Sequence, residues 1–210
     1  MLAIKKGAEP NCLTELRSKP NAAFNQLVGE CKEQIRTRLA AEQRGVCCYC
    51  MGRLKTSPET MKVEHWSPRT GAKEKDLAWS NLLGACPGRL GWPEVDRHCD
   101  SSKSNQFIHI NPTDPGCERK INYNSDGSIK SDDVAIQADF DKVLNLNHDD
   151  LKTARKLALG AFLRDHSARH AGGWSRQVVE RAHGKLSSET PARPYLGIIL
   201  HYLWKRLSAA

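Results

Sequence analysis

Between residues 47 and 103 the chain carries, in order, Cys47-Cys48-Tyr49-Cys50, Val63-Glu64-His65-Trp66, Asn81, Cys86, and Cys99-Asp100 followed by Lys103. Thiols arriving in two pairs suit a tetrahedral structural zinc, which Cys thiolates hold about 2.3 Å away. The residues between and after them suit a different chemistry. A neutral imidazole can take a proton from water, and two carboxylates can hold a divalent cation against a phosphate, the division of labour needed for metal-assisted phosphodiester hydrolysis.

Spacing selects the thiols. Cys47 and Cys50 form a C-x-x-C knuckle whose two-residue gap lets both sulfurs reach one ion, whereas Cys48, beside Cys47, points elsewhere. The second pair, Cys86 and Cys99, is split by the loop Pro87 to His98, and loop closure costs grow only logarithmically with length. A structural Zn²⁺ is therefore expected on Cys47, Cys50, Cys86 and Cys99, with His98 as the alternative to Cys99. Cys12 and Cys117 have no partner at useful spacing, and Cys31 falls on an apolar face as a core residue.

The elements that must position these groups point to an α+β protein. Asn21 as cap, then Phe24, Leu27, Cys31, Ile35 and Leu39, then Gly45 as stop, predict one amphipathic helix. Strands are expected at Met51 to Lys55 and Met61 to Trp66, joined at Ser57-Pro58 as a ββ hairpin. Phe107 to Ile110 and Ile121 to Ile129, with Asp126-Gly127 as a turn, predict accessory strands. Asn147 as cap, with Leu146 and Leu151 as a staple, starts a helix from about His148 to Arg164. Its inward positions are Leu151, Ala154, Ala158 and Ala161, leaving Lys152, Arg155 and Lys156 as a basic stripe. Pro194 opens a final helix carrying Leu196, Ile199, Leu200, Leu203 and Leu207. The resulting divisions are an N-terminal segment and helix (1–45), a zinc-supported core (46–105), accessory strands and loops (106–142) and a basic helical region (143–210).

Of the 210 residues, 32 are Lys or Arg and 24 Asp or Glu, a formal net charge of +8. Residues 1–150 hold 21 of each sign, and residues 151–210 hold 11 basic and 3 acidic, so the whole excess lies in the last helices. That is the footprint of a polyanion binder, with Lys152, Arg155 and Lys156 as its nucleic-acid contacts; the bland reading is a solvated helical face. The opening Met1 to Gly7 lacks the apolar stretch of a signal peptide, so reduced thiols and a cytoplasmic location are expected. The apolar run Tyr195 to Trp204 is interrupted by His201 and is too short to span a bilayer, which leaves a core helix or a homodimer seam. Trp66, Trp79 and Trp92 read as packing residues, with Trp92 a candidate partner contact, and the His166 and His170 pair reads as solvated.

The ordered set over about 47–105 resembles the zinc-containing HNH, or ββα-metal, nucleases. In that family an acid precedes a histidine on the second strand, an asparagine follows in the loop, and the helix after the last cysteine carries Asn or His with Lys three residues on. Glu64, His65, Asn81, Asp100 and Lys103 occupy those places. Glu64 stands where Asp is commoner and Asp100 where Asn or His is usual, but two carboxylates suit Mg²⁺ or Mn²⁺. The resemblance implies that His65 is the general base, that Glu64 and Asp100 hold the catalytic ion, and that Asn81 orients the base-bearing loop. It assigns Lys103 to a phosphate or to supporting Asp100. Ile4 to Pro10, Asn111 to Pro115, and Leu144 to Asn147 before an Arg-bearing helix extend the likeness over about 4–165. The extended pattern is similar to the PtuB nucleases of Septu and related retron antiphage systems. That likeness implies an ATPase partner of the PtuA type and a DNA or RNA substrate. The competing expectation is a zinc-knuckle nucleic-acid-binding or adaptor subunit whose catalytic residues have decayed.

Overall fold

The single N-terminal helix expected from periodicity is broken into pieces in the computed structural model of the chain, which describes residues 1–70 and 73–209. Helix α1 spans Asn11–Arg17, a single 3₁₀ turn spans Phe24–Gln26, and helix α2 spans Gly29–Glu42. Asn21 has φ +55°, and Leu27 and Val28 are extended, so the chain leaves helical geometry twice before α2 starts. The late start moves Cys31 into the first turn of α2, half-buried, where it forms a disulfide with Cys12 of α1. This corrects both the core placement of Cys31 and the expectation of fully reduced thiols. Ile35, Arg36, Leu39 and Ala40 are the buried positions of α2, and Gly45 at φ +74° turns the chain away beyond its end.

The hairpin uses a different partner strand from the one expected. Strand β1 (Lys62–His65) pairs antiparallel with β2 (Leu82–Ala85), in the register Lys62↔Ala85, Glu64↔Leu83 and His65↔Leu82. Met51 to Lys55 forms no strand, only a single bridge between Val46 and Arg53. The cause is local. The Cys47 amide donates to the Gly52 carbonyl (2.8 Å), the Met51 amide donates to the Cys47 carbonyl (3.1 Å), and Met51 has φ +64°. Those bonds close a knuckle around the thiols and use the backbone groups a strand would need. Helix α3 is one turn, Asp100–Lys103, directly after Cys99. Gly88 brings the intervening loop back: at φ +57° it lies so close to His98 that an added Cβ would sit 1.5 Å from the His98 carbonyl oxygen.

Strands β3 (Asn122–Tyr123) and β4 (Ile129–Lys130) flank the expected Asp126-Gly127 turn, whereas Phe107 to Ile110 is not a strand. Its amides are satisfied by a side chain instead, since the buried Asp139 carboxylate accepts from His109 (2.5 Å) and Ile110 (3.0 Å). Asp139 begins a π turn, Asp139–Val143, that continues helix α4 (Val134–Ala138), neither of which the periodicity revealed.

Helix α5 runs Asp149–Arg169, beyond the expected end, and is capped by His148, whose Nδ1 accepts from the Asp150 amide (3.3 Å). Asn147, the expected cap, instead brackets Ile129 from both sides, accepting from its amide (2.9 Å) and donating to its carbonyl (3.0 Å). The buried face of α5 is Leu151, Arg155, Leu159, Phe162 and His166, while Ala161 is exposed. Helix α6 (Arg176–Ser188) starts at Ser175, whose hydroxyl accepts from the Val178 amide. Helix α7 (Leu196–Ser208) packs against α5, α6 and β3 and buries Leu196, Ile198, Ile199, Leu200 and Leu203 within the chain. Its apolar face therefore serves the core, with Trp204 left exposed. One apolar cluster extends from Met1 to Leu203 through both small sheets, making this a mixed α+β fold. No helix among the described residues is long and apolar enough to cross a membrane.

Candidate active site and metal centre

The knuckle, the start of the loop after β2 and the residue before α3 bring four thiols to one point. The Sγ atoms of Cys47, Cys50, Cys86 and Cys99 all lie within 4.8 Å of one another, with Cys50 and Cys86 3.7 Å apart. Four ligands at about 2.3 Å in a tetrahedron have their sulfurs about 3.8 Å apart, so the cluster fits one zinc-sized ion. Backbone amides already support the sulfurs: Gly52 donates to Cys50 and Cys86 donates to Cys47, both at 3.3 Å. Burial opposes ionisation of Cys47, yet hydrogen bonds from the Cys48, Cys50, Cys86 and Cys99 thiols hold it well below the ordinary value. Cys86, against Cys47 and Cys50, and Cys99, through burial, are pushed well above it. Metal entry must therefore displace protons. His98 stands beside the cluster, Nδ1 3.3 Å from Cys99 and 4.0 Å from Cys86.

A carboxylate pair, Glu64 buried and Asp100 half-buried, adjoins this cluster. Glu64 Oε1 accepts from the Lys103 ammonium (2.8 Å) and from the Tyr49 hydroxyl (3.0 Å), and its carboxyl faces that of Asp100 within hydrogen-bonding reach. Lys103 is 1% exposed and also donates to the His65 carbonyl (2.8 Å). It cannot meet a phosphate from there, and its direct bond goes to Glu64 rather than Asp100, so both expected roles are replaced by that of a buried tether. Tyr49 is the residue that sequence reasoning missed: it lies inside the C-x-x-C knuckle, and only that position hinted that it would be carried toward the site. Burial pushes Glu64 up to about 7 against the pull of Lys103, and Asp100 adds to the rise; burial likewise raises Asp100. Two facing carboxylates, each held above the ordinary range, are the donor set a hard divalent cation relieves.

The sign of the Glu64 shift gives a test. A carboxyl bound to its proton more tightly folded than unfolded stabilises the fold fully below the unfolded value near 4.5, and that stabilisation is lost as pH rises through about 7. In buffer without added Mg²⁺ or Mn²⁺, denaturant midpoints should fall between about pH 5 and pH 8, and Glu64→Gln should abolish the fall. An equal decline in that variant would assign the effect to other groups.

His65 ends β1, half-enclosed by the loop that returns to β2. Its Nε2 lies 2.8 Å from the Asp76 carbonyl oxygen, which can only accept, so Nε2 carries the proton and Nδ1 keeps the free lone pair. Phe24 packs edge-on to the ring, centroids 4.5 Å apart. Burial holds the imidazole below its ordinary value despite the Asp76 carbonyl, so the neutral, basic form prevails at neutral pH. Asn81 is buried, accepts from the Ser67 amide (2.7 Å), and donates to the Ser67 and Lys75 carbonyls (both 3.1 Å). It ties both ends of the loop after His65. Asp76 and Phe24 fix the imidazole: Asp76 carries no sequence signal, and Phe24, read as one position of an apolar helix face, packs on His65 instead.

The three basic residues expected to bind nucleic acid do not form a stripe. Arg155 is 2% exposed, donating to the Gly127 (2.7 Å) and Leu146 (2.5 Å) carbonyls, and Lys152 pairs with Asp149 (2.8 Å). Lys156 alone of the three is exposed without an ion pair among the described residues. Arg155 was misplaced because the helix face turned toward the core, where a guanidinium fork can satisfy loop carbonyls that a turn leaves open.

No family model matches the chain. Over 135 residues it is 28% identical to a protein of Vibrio cholerae serotype O1 biovar El Tor named "Retron Vc95 putative HNH endonuclease", covering 60% of this chain and 63% of that protein. The chain thus matches less than two thirds of that relative's length.

Proposed function

We propose that this chain is a metal-dependent HNH endonuclease that hydrolyses phosphodiester bonds, as the nuclease subunit of an antiphage complex with an ATPase. The observation that carries the reading is the meeting of the Glu64 carboxyl, held by Lys103 and Tyr49, with that of Asp100, beside a four-thiol cluster that joins the knuckle, the end of β2 and the start of α3. A decayed adaptor would have no reason to keep a buried carboxylate facing a second, half-buried one, since desolvation and repulsion both oppose it. The likeness to a retron protein named for the same nuclease class supports the defence setting. The Septu and PtuB assignment and the PtuA-type partner rest on motif resemblance, and a cytoplasmic location is consistent with a retron nuclease.

In this reading Cys47, Cys50, Cys86 and Cys99 would hold a structural zinc, and Glu64 and Asp100 would hold Mg²⁺ or Mn²⁺, which when bound would supply charge neutralisation at the scissile phosphate and the leaving 3′ oxygen. His65 Nδ1 takes the proton from the attacking water as the P–O3′ bond breaks, giving a 5′ phosphate and a 3′ oxygen that picks up a proton from solvent to become the 3′ hydroxyl. The Asp76 carbonyl holds the imidazole in the tautomer that makes Nδ1 the base. Asn81 keeps the loop closed behind it, and Lys103 with Tyr49 aims Glu64.

Plasmid DNA and RNA incubated with the chain and Mg²⁺ or Mn²⁺, with and without the ATPase, test the proposal. Asp100→Asn should retain most cleavage because asparagine offers an oxygen ligand, whereas Asp100→Ala should lose about 10²-fold or more. Undiminished cleavage by the alanine variant would remove Asp100 from the site. A wild-type chain that cuts neither polymer under any of these conditions is the adaptor.

A further inference from the structure

Net charge points to the C-terminal helices as the polyanion-binding region, but the arrangement of the charges points elsewhere. In the tail, Lys152, Arg169, Arg176 and Arg193 each pair with an acid three or four residues away, Arg155 is buried against carbonyls, and the other six cations, Lys156, Arg164, Arg181, Lys185, Lys205 and Arg206, are spread over three helices. Such local pairs spend part of the positive charge within the chain, and the rest is dispersed rather than gathered at one site.

Around Phe24, by contrast, cations from separate elements gather with little to balance them. The Lys32 ammonium of α2 lies 5.4 Å from the Phe24 ring centroid and the Arg69 guanidinium 5.2 Å, on the ring that abuts His65. Arg36, one turn along α2 from Lys32, is 7% exposed; its Nε has no hydrogen-bond partner. Lys62 stands two residues before Glu64 on β1, hence on the same side of the strand, and donates only to the Pro58 carbonyl (3.2 Å). Lys32, Arg36 and Lys62 make no ion pair among the described residues, and Arg69 makes one, to Asp76 (2.8 Å). Glu59, exposed and bonded to Ser57, and Asp100, raised by burial against the pull of Lys62, are the other nearby carboxylates. Burial lowers Lys32, and Arg36, Lys62 and Arg69 lower it further with no acid opposing them. Like charges held together without counter-charge are unfavourable unless an anion completes them.

We infer that Lys32, Lys62 and Arg69, with the charge of buried Arg36 behind them, form a track for the phosphodiester backbone of the nucleic-acid substrate, running over α2 and β1 beside His65; this rests on the nuclease reading. A backbone laid there needs no help from the tail to bring a phosphate to the imidazole. Contacts of this kind position the polymer without reading its sequence, so DNA and RNA should both use them.

The test measures binding of a His65→Ala chain, which does not cut, to a short labelled DNA duplex and to a single-stranded RNA over a salt series without added divalent ion. Lys32→Gln with Lys62→Gln should weaken binding about tenfold or more at low salt and reduce the log–log salt slope by about 1.4–1.8, roughly 0.9 per lost contact on duplex and 0.7 on single strand. Both side chains are partly exposed, and an unchanged melting profile keeps the comparison valid. Lys152→Gln with Lys156→Gln should leave the slope as it was. An unaltered slope in the first pair on both probes, or a loss confined to the second pair, overturns the track. Cleavage by the wild-type chain is scored separately: binding through the track without cleavage defeats the nuclease reading alone, and cleavage with track variants that bind normally defeats the track alone.

Discussion

His65→Ala is expected to lower cleavage by about 10²–10⁴-fold, the range a positioned general base contributes, while zinc content and ATPase association stay at wild-type levels. The reason is specific to the geometry. The Asp76 carbonyl can only accept, so it fixes the proton on Nε2, and alanine removes the one lone pair, on Nδ1, that this tautomer makes available. The ring is buried against Phe24, so its removal also leaves a small void, costing about 1–3 kcal/mol of stability without touching a thiol. His65→Gln fills most of that void and should be as inactive, which separates lost chemistry from lost packing. Because burial holds the imidazole below its ordinary value, the acid limb of the wild-type pH–rate profile should lie below about 6.5. Cleavage by either variant within a few-fold of wild type would exclude His65 as the base.

How far the sequence could be read depended on the range of the interaction involved. The four thiols were legible because ligand spacing is a local constraint, and Cys47, Cys50, Cys86 and Cys99 do converge. The hairpin partner was not, because the bonds that close the knuckle at Cys47 and Met51 compete with strand formation through backbone geometry, which side-chain alternation does not report. β2, four buried residues with a glycine among them, has no alternation to read. The Cys12–Cys31 pairing and the broken helix share one cause, the exit from helical geometry at Leu27 and Val28, where the apolar spacing still suggested continuity.

The charged residues were the hardest to place. Lys103, Arg36 and Arg155 are all buried, and each would be put on the surface by composition alone. For two of them burial follows from tertiary partners: Glu64 and the His65 carbonyl for Lys103, the Gly127 and Leu146 carbonyls for Arg155. A count of charges by segment therefore located an excess but not a binding face.

Cys50→Ser or Cys86→Ser should lower zinc from about one ion per chain to a small fraction and expose residues 46–105 to hydrogen exchange, with cleavage falling in step. β1 and β2 are four residues each and α3 is a single turn, elements too short to persist on their own ladders. What joins them is the cluster: the knuckle, the loop after β2 and the start of α3 each contribute thiols, and a structural zinc contributes about 10–16 kcal/mol in small zinc-dependent folds. Tyr49 sits between two of the ligands and bonds Glu64, so loosening the knuckle should also misaim the carboxylate, which is why activity should fall with the fold. Cys48 and Cys117 supply the contrast. Both are buried thiols outside the tetrad, so Cys48→Ala and Cys117→Ala remove comparable volume while leaving zinc content near one. A wild-type chain that purifies without zinc and still protects residues 46–105 would mean that packing alone holds the hairpin, and equal zinc loss in the Cys48 and Cys50 variants would mean that the ligand set is misassigned.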